Sequence, residues 1–300
     1  MQESCGCQAP PRRHCDLCYA DESVFLACSG ACLAEHLRGA HGSPEAAAER
    51  AKALLSRMNA EHPDSSESFA PHRLRLMDLV SRAEPYGTLL VLGVGNASDL
   101  DLPELTERFR EVHLVDLDGA ALERARARQP ERCRQRLVIH PDVDLSGLLE
   151  YLDAWGDVFP PPPELGATAV AAARRLVATL GSHDVVLSTC VLSQLGLPFR
   201  RSWVAPVSTW ANLSAALSAI HLATIAGCTA RRGILAFDVQ DQDGALSPDP
   251  QLLLAQLRSP GLASLVAEPT LSEPWQWNLG DVEQLVYAVE FIRPQAAPHA

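Results

Sequence analysis

The sequence predicts an α/β fold, a largely parallel sheet covered by helices on both faces and closed by an antiparallel hairpin, with a small module ahead of it. Three observations predict it. Five short runs rich in Val, Ile and Leu alternate with helical stretches. Strands buried on both faces need such runs, and helices between them supply the crossovers of a parallel sheet. A last pair of runs, WQWNL and LVYAVEFIR, is separated by five residues and reads as a hairpin. Six of the nine cysteines fall within the first 32 residues, outside this pattern. A chain of 300 residues, 47% of them apolar, has room for a full-sized core and a small extra module.

The elements follow in order. Residues 1–42 are rich in Cys and His. Ser43 can cap a helix over 45–59, with Pro44 at its first position. Residues 43–68 make that helix and a polar linker, and 69–300 the α/β domain. Strands are expected at 88–94, 111–117, 136–140, 184–190 and 233–239. Helices are expected at 102–109, 119–129, 167–180 and 212–226. The closing hairpin pairs 275–279 with 285–293. Four prolines at 160–163 exclude helix and inner strand and predict an extended surface segment.

Net charge is −12, from 37 acids against 25 bases. A sequence-independent grip on nucleic acid needs a basic surface, and so does an anionic membrane face, so both partners are disfavoured. The N-terminus lacks the apolar run of a secretory signal, and no stretch reaches the ~18 apolar residues of a spanning helix. A cytoplasmic protein is expected. In a reducing compartment clustered cysteines are metal ligands more often than disulfides.

The cluster reads Cys5-x-Cys7, Cys15-x2-Cys18, Cys28-x3-Cys32, then His36 and His41. Ligands paired a few residues apart suit a tetrahedral zinc ion, one tight turn presenting two side chains. The eight positions divide into two interleaved sets, Cys5, Cys7, Cys28 and Cys32 for one ion, and Cys15, Cys18, His36 and His41 for another. One ion or two both fit, and His14 can replace a nominal ligand. A segment this short cannot build a core without a metal. The run from Cys28 to His41 resembles the second half of a MYND-type zinc finger, with a B-box-like finger as the alternative. Either resemblance implies a structural role or a protein contact. Residues 1–60 hold six bases and seven acids, which disfavours nucleic acid here too.

The first strand runs into Gly93-Val94-Gly95-Asn96. Two glycines let the chain turn tightly and bring its backbone against a ligand. The second strand ends in Asp116-Leu117, and an acid there can accept hydrogen bonds from both ribose hydroxyls of a nucleoside. The third ends at His140-Pro141-Asp142-Val143, and the fourth carries Ser188 into Thr189-Cys190. From about Phe69 to Pro294 this order resembles the class I S-adenosylmethionine-dependent methyltransferases, which have a Rossmann-like sheet. The resemblance implies that Gly93, Gly95 and Asn96 approach the methionine part of the cofactor. It likewise implies that Asp116, with Leu117, holds the ribose, that Asp142 and Val143 contact the adenine, and that residues from Ser188 onward face cofactor and acceptor. Two positions depart from the family, Val91 standing for an acid and Ala97 for the third glycine.

Methyl transfer is an in-line displacement at an activated sulfonium, so alignment matters more than a base. His140, His183, Cys190, Gln194 and His221 lie in candidate regions, but each has a structural alternative, and no base is assigned. Trp155, Phe159, Trp203 and Trp210 are candidates for an acceptor pocket. The expected function is methyl transfer to a small molecule or protein side chain, with zinc in the module. The alternative is a non-catalytic methyltransferase fold that recruits a protein partner through its finger. An NAD-linked enzyme is a third reading, against which Ser98 occupies the third glycine of the dinucleotide fingerprint.

Overall fold

The computed structural model describes residues 2–7, 13–14, 24–29, 31–33, 35–36, 47–61, 67–82, 87–155, 159–202, 207–239, 249–279 and 282–294. Near the N-terminus, β1 (Gln2–Ser4), β2 (Arg13–His14) and β3 (Val24–Ala27) form a small sheet in the order β1-β3-β2. Among the described residues its buried apolar core is Phe25, Ala27 and Leu33. Helices α1 (Ala47–Glu61) and α2 (Ala70–Ser81) follow.

The main sheet begins with β4 (Thr88–Leu92), β5 (Glu111–Val115) and β6 (Leu137–His140). It continues with β7 (His183–Thr189), β8 (Thr229–Val239), β9 (Ala267–Leu271), β10 (Trp275–Leu279) and β11 (Val282–Ile292). The order is β10-β11-β8-β7-β4-β5-β6, with β9 paired to β11. Strands β6, β5, β4, β7 and β8 are parallel. The last strand inserts antiparallel between β8 and β10. This is the expected Rossmann-like α/β sheet with a C-terminal antiparallel hairpin.

Period-two alternation explains why the sheet is buried twice. Leu89 and Val91 face one core while Leu90 and Leu92 face the other, and Ile234 and Ala236 oppose Leu235 and Phe237 likewise. Two core layers are therefore built from the same runs. The crossovers are α3 (Leu102–Arg108), α4 (Gly119–Ala127) with α5 (Glu131–Arg134), α6 (Tyr151–Ala154) with α7 (Pro162–Leu180), and α8 (Leu197–Ser202) with α9 (Val207–Cys228). A further helix, α10 (Pro250–Leu257), precedes β9.

Two expectations change. The prolines do not exclude helix, because α7 starts at Pro162 with extended Pro161 as its N-cap. Proline is tolerated in the first turn, where its missing N–H has no partner to lose. Within α9, the stretch Ser208–Cys228 is long and apolar enough to cross a membrane by length and composition, with a mean hydropathy of 1.4. Its isolated polar residues bond internally, Thr224 Oγ1 to the Ile220 carbonyl and His221 Nε2 with Ser188 Oγ. Leu213, Leu217, Ile220 and Ile225 are buried in the domain core.

Candidate functional site

Parallel strands leave their carboxyl ends on one edge, and the crevice outside that edge is where such sheets bind ligands. A cavity of about 680 Å³ lies there. That is within the roughly 300–1,000 Å³ of small-molecule sites. Gly93, Gly95, Asn96, Asp116, Leu117 and Val143 line it.

The turn after β4 explains its glycines. Gly93 has φ 77°, and a Cβ there would meet Val191 Cβ at 2.5 Å. Gly95 has φ 50°, and its N–H donates to Asp116 Oδ2 at 2.8 Å. The Asp118 N–H donates to Asp116 Oδ1 at 2.8 Å. Asp116 is thus oriented by two backbone donors, while burial pushes its carboxyl upward. The helix N-cap role belongs to Asp118, whose side chain accepts from the Ala121 N–H. Ala97 takes φ 57°, so the turn keeps its left-handed residue without the third glycine.

Two expected residues lie outside the lining. Asp142 sits at the surface with its side chain 59% exposed and pairs with Lys52. Ser188 is fully buried and turns toward α9, its hydroxyl 2.8 Å from His221 Nε2. The next residues take the place expected of Ser188. Thr189 donates to the Gly93 carbonyl at 3.1 Å, and Cys190, with φ 47°, lines the cavity. One step along a strand exchanges the sheet face.

Several lining residues carried no sequence signal. Leu55, Met58 and Asn59 come from α1, which covers the site. Asn59 donates to Asp118 Oδ2 at 2.9 Å, and its carbonyl accepts from Asn96 Nδ2 at 2.7 Å. Asp99 is a buried wall residue whose carboxyl burial raises to about 7. The aromatic walls are Phe69 and Trp277, edge to face at 4.9 Å, not the expected tryptophans. Trp155, Phe159 and Trp210 pack on the domain core, and Trp203 lies outside the described residues. Behind Trp277 stacks His72 at 4.3 Å. His72 Nδ1 accepts from Trp275 Nε1 at 3.0 Å, and burial lowers the imidazole to about 4.

The other candidate histidines have structural roles. His183 Nε2 lies 2.9 Å from the Leu180 carbonyl, and His140 Nε2 lies 2.9 Å from His113 Nδ1.

In the N-terminal module Cys5, Cys7, Cys28 and Cys32 converge, their sulfurs all within 4.8 Å of one another. This is one of the two sets that the spacing divides. Cys7 Sγ lies 3.7 Å and Cys28 Sγ 3.4 Å from Cys32 Sγ. Zinc–thiolate bonds of ≈ 2.3 Å put tetrahedral sulfurs about 3.8 Å apart, so the donor set fits that ion. Without a cation the thiols oppose one another. The Cys7 backbone N–H foremost draws Cys5 down to about 6, while hydrogen bonding with Cys28 above all pushes Cys7 up to about 12. Of the second set, His36 stacks on Phe25 with ring centroids 3.6 Å apart, and Cys15, Cys18 and His41 lie outside the described residues.

No family model and no curated protein matches the sequence. Among solved structures, the N-methyltransferase NodS from Bradyrhizobium japonicum WM9 is 10% identical, with a TM-score of 0.43, over 77% of this chain and 99% of that one. Magnesium protoporphyrin IX methyltransferase (ChlM) from Synechocystis PCC 6803, with bound SAM, is 13% identical, with a TM-score of 0.41, over 87% of this chain and 90% of that one. A SAM dependent methyltransferase from Aquifex aeolicus is 10% identical, with a TM-score of 0.42, over 79% of this chain and 97% of that one.

Proposed function

We propose that the chain is an S-adenosylmethionine-dependent methyltransferase acting on a small molecule or a protein side chain. The observation that carries this is the cavity at the strand ends, where the Gly93–Gly95 turn meets Asp116. When bound, S-adenosylmethionine supplies a methyl group on a positively charged sulfur. The chain's own residues account for its fit. Gly93, Gly95 and Asn96 let backbone approach the methionine part. Asp116 keeps lone pairs for the ribose hydroxyls, and Leu117 and Val143 offer apolar surface to the adenine. Asp99, beside Thr189, presents a carboxylate to the cationic end. The cavity aligns the reactants, which is most of what this displacement needs.

Calorimetric titration with S-adenosylhomocysteine tests the reading. One site per chain is expected, and no heat at millimolar ligand overturns it. Asp116→Ala abolishes the binding, because it removes the acceptor for the ribose and the partner of two backbone donors.

The module is proposed to hold zinc through Cys5, Cys7, Cys28 and Cys32, for structure and for contact with a protein partner. A second ion on Cys15, Cys18, His36 and His41 is part of the same proposal. Elemental analysis of protein purified without chelator should give one or two zinc ions per chain, and less than one overturns it. Reduced thiol ligands suit the cytoplasm, which is the proposed location.

A further inference from the structure

One end of the cavity has a chemistry that cofactor binding leaves unused. It is bounded by Asp238 at the end of β8, by Trp277 on β10 and by Gln284 on β11, with Phe69 and Ser193 beside them. Register places these groups together, since Trp277 pairs with Gln284, and Asp238 pairs with Val286 two residues further on. Asp238 is 3% exposed. Its Oδ1 accepts from the Ser193 hydroxyl at 2.7 Å, and among the described residues it forms no ion pair. Among the described residues, Gln284 Oε1 and Trp277 Nε1 are buried without a hydrogen-bond partner. Buried polar atoms are normally paired, so unpaired ones on a cavity wall point to a ligand.

The charge balance of the wall indicates which ligand. Its carboxylates are Asp99, Asp116, Asp144 and Asp238, and among the described residues no Lys, Arg or His lines it. Backbone N–H groups hold Asp116 and Asp144, and Thr189 hydrogen-bonds Asp99. Asp238 has the Ser193 hydroxyl and its own backbone N–H, and no side-chain cation among the described residues. An anionic group would meet four carboxylates, of which Asp99 has Arg73 acting on it and Asp238 has no ion pair among the described residues. A positively charged group with several N–H donors would satisfy Asp238 and Gln284 together and lie against the aromatic faces.

We propose that this subsite takes an amine as the methyl acceptor, held as its ammonium by Asp238 and Gln284 Oε1 against Phe69 and Trp277. The inference rests on the methyltransferase reading above. The ammonium first passes one proton to the Asp238 carboxylate. The freed nitrogen lone pair then forms the new N–CH3 bond as the S–CH3 electron pair returns to sulfur. The methylated nitrogen carries the positive charge, and Asp238 returns its proton to water. Burial raises the Asp238 carboxyl, which makes it a stronger base than a surface aspartate.

Three probes of matched shape test it on the full, metal-loaded chain saturated with S-adenosylhomocysteine. They are 2-phenylethylammonium, 2-phenylethanol and 3-phenylpropanoate, titrated calorimetrically. The ammonium is expected to bind at least about tenfold more tightly than the other two. Asp238→Asn should weaken it about tenfold or more while leaving S-adenosylhomocysteine affinity unchanged. Gln284→Leu, which removes only the unpaired acceptor, should weaken it by a smaller factor. The proposal is overturned if the alcohol or the carboxylate binds as well as the ammonium, if the ammonium fails to bind at millimolar concentration, or if both variants bind it as the parent does. Failure of S-adenosylhomocysteine itself to bind overturns the methyltransferase reading instead, and is read separately in the same experiment.

Discussion

Asp99 shows how a single residue couples the cavity to stability. The residue is 8% exposed, and burial raises its carboxyl to about 7 from the ordinary 3.8. A raised carboxyl favours the protonated folded state, so the stability present below about pH 4 is lost as pH rises to about 7, where the unfolded chain has already ionised. Asp99→Asn removes that cost. The variant should gain on the parent as pH rises from about 4 through 7, by at most about 4 kcal/mol, and the difference should be flat below that window. Chemical denaturation at a series of pH values measures it, and a pH-independent difference would contradict the burial of an ionisable carboxyl. Residue by residue, the sequence was informative where geometry is local. The glycine turn and Asp116 are legible because φ > 0 and a strand-end acid leave a chemical mark. Asp99 is not, since its burial is set by elements from elsewhere in the chain. Ser188 and Thr189 could not be told apart without knowing which way β7 faces.

Among the elements, α1 is the one whose role sequence did not reveal. Its apolar positions Ala51, Leu54, Leu55 and Met58 fall on helical spacing and say that one face packs. They do not say against what, and the partners lie some forty to sixty residues further on. Asn59 is bonded to Asp118, and its carbonyl to Asn96, so the helix is pinned over the glycine turn. The Lys52–Asp142 pair beside it is exposed and contributes little. By contrast the five parallel strands and the hairpin partners were legible, because burial on both faces forces continuous apolar runs. Strand β9 was not, for Glu268 and Pro269 interrupt its apolar character. Asn59→Ala leaves the backbone contact intact and removes one hydrogen bond to a carboxylate. About 1 kcal/mol of stability should be lost, with a several-fold fall in S-adenosylhomocysteine affinity. Calorimetry and thermal unfolding separate the two effects, and an unchanged affinity would remove α1 from the site.

The whole molecule joins two bodies stabilised by different means. The α/β domain has a core layer on each face of its sheet, whereas the N-terminal sheet has Phe25, Ala27 and Leu33. Those three, the buried apolar side chains among the described residues, do not by themselves offset the conformational entropy of ordering such a segment, at roughly 1–2 kcal/mol per residue for the backbone alone. On the zinc proposal, metal binding by four thiolates supplies what that core lacks, since in such modules binding and folding are one equilibrium. Chelation should therefore dissolve the N-terminal sheet and spare the main one. Hydrogen exchange followed by mass spectrometry reads this directly. In chelator, amides of β1 and β3 should exchange as in an unfolded chain, while Leu89 to Val91 of β4 and Val185 to Leu187 of β7 stay protected. Because β2 lies against α8, next to the cavity residues Leu197 and Pro198, exchange in α8 should also rise moderately. Zinc should restore the pattern, and magnesium, a hard cation that prefers oxygen, should not. Protection of β1 and β3 that survives complete metal removal would mean that side-chain packing alone holds the module, and that the four converging cysteines serve another purpose.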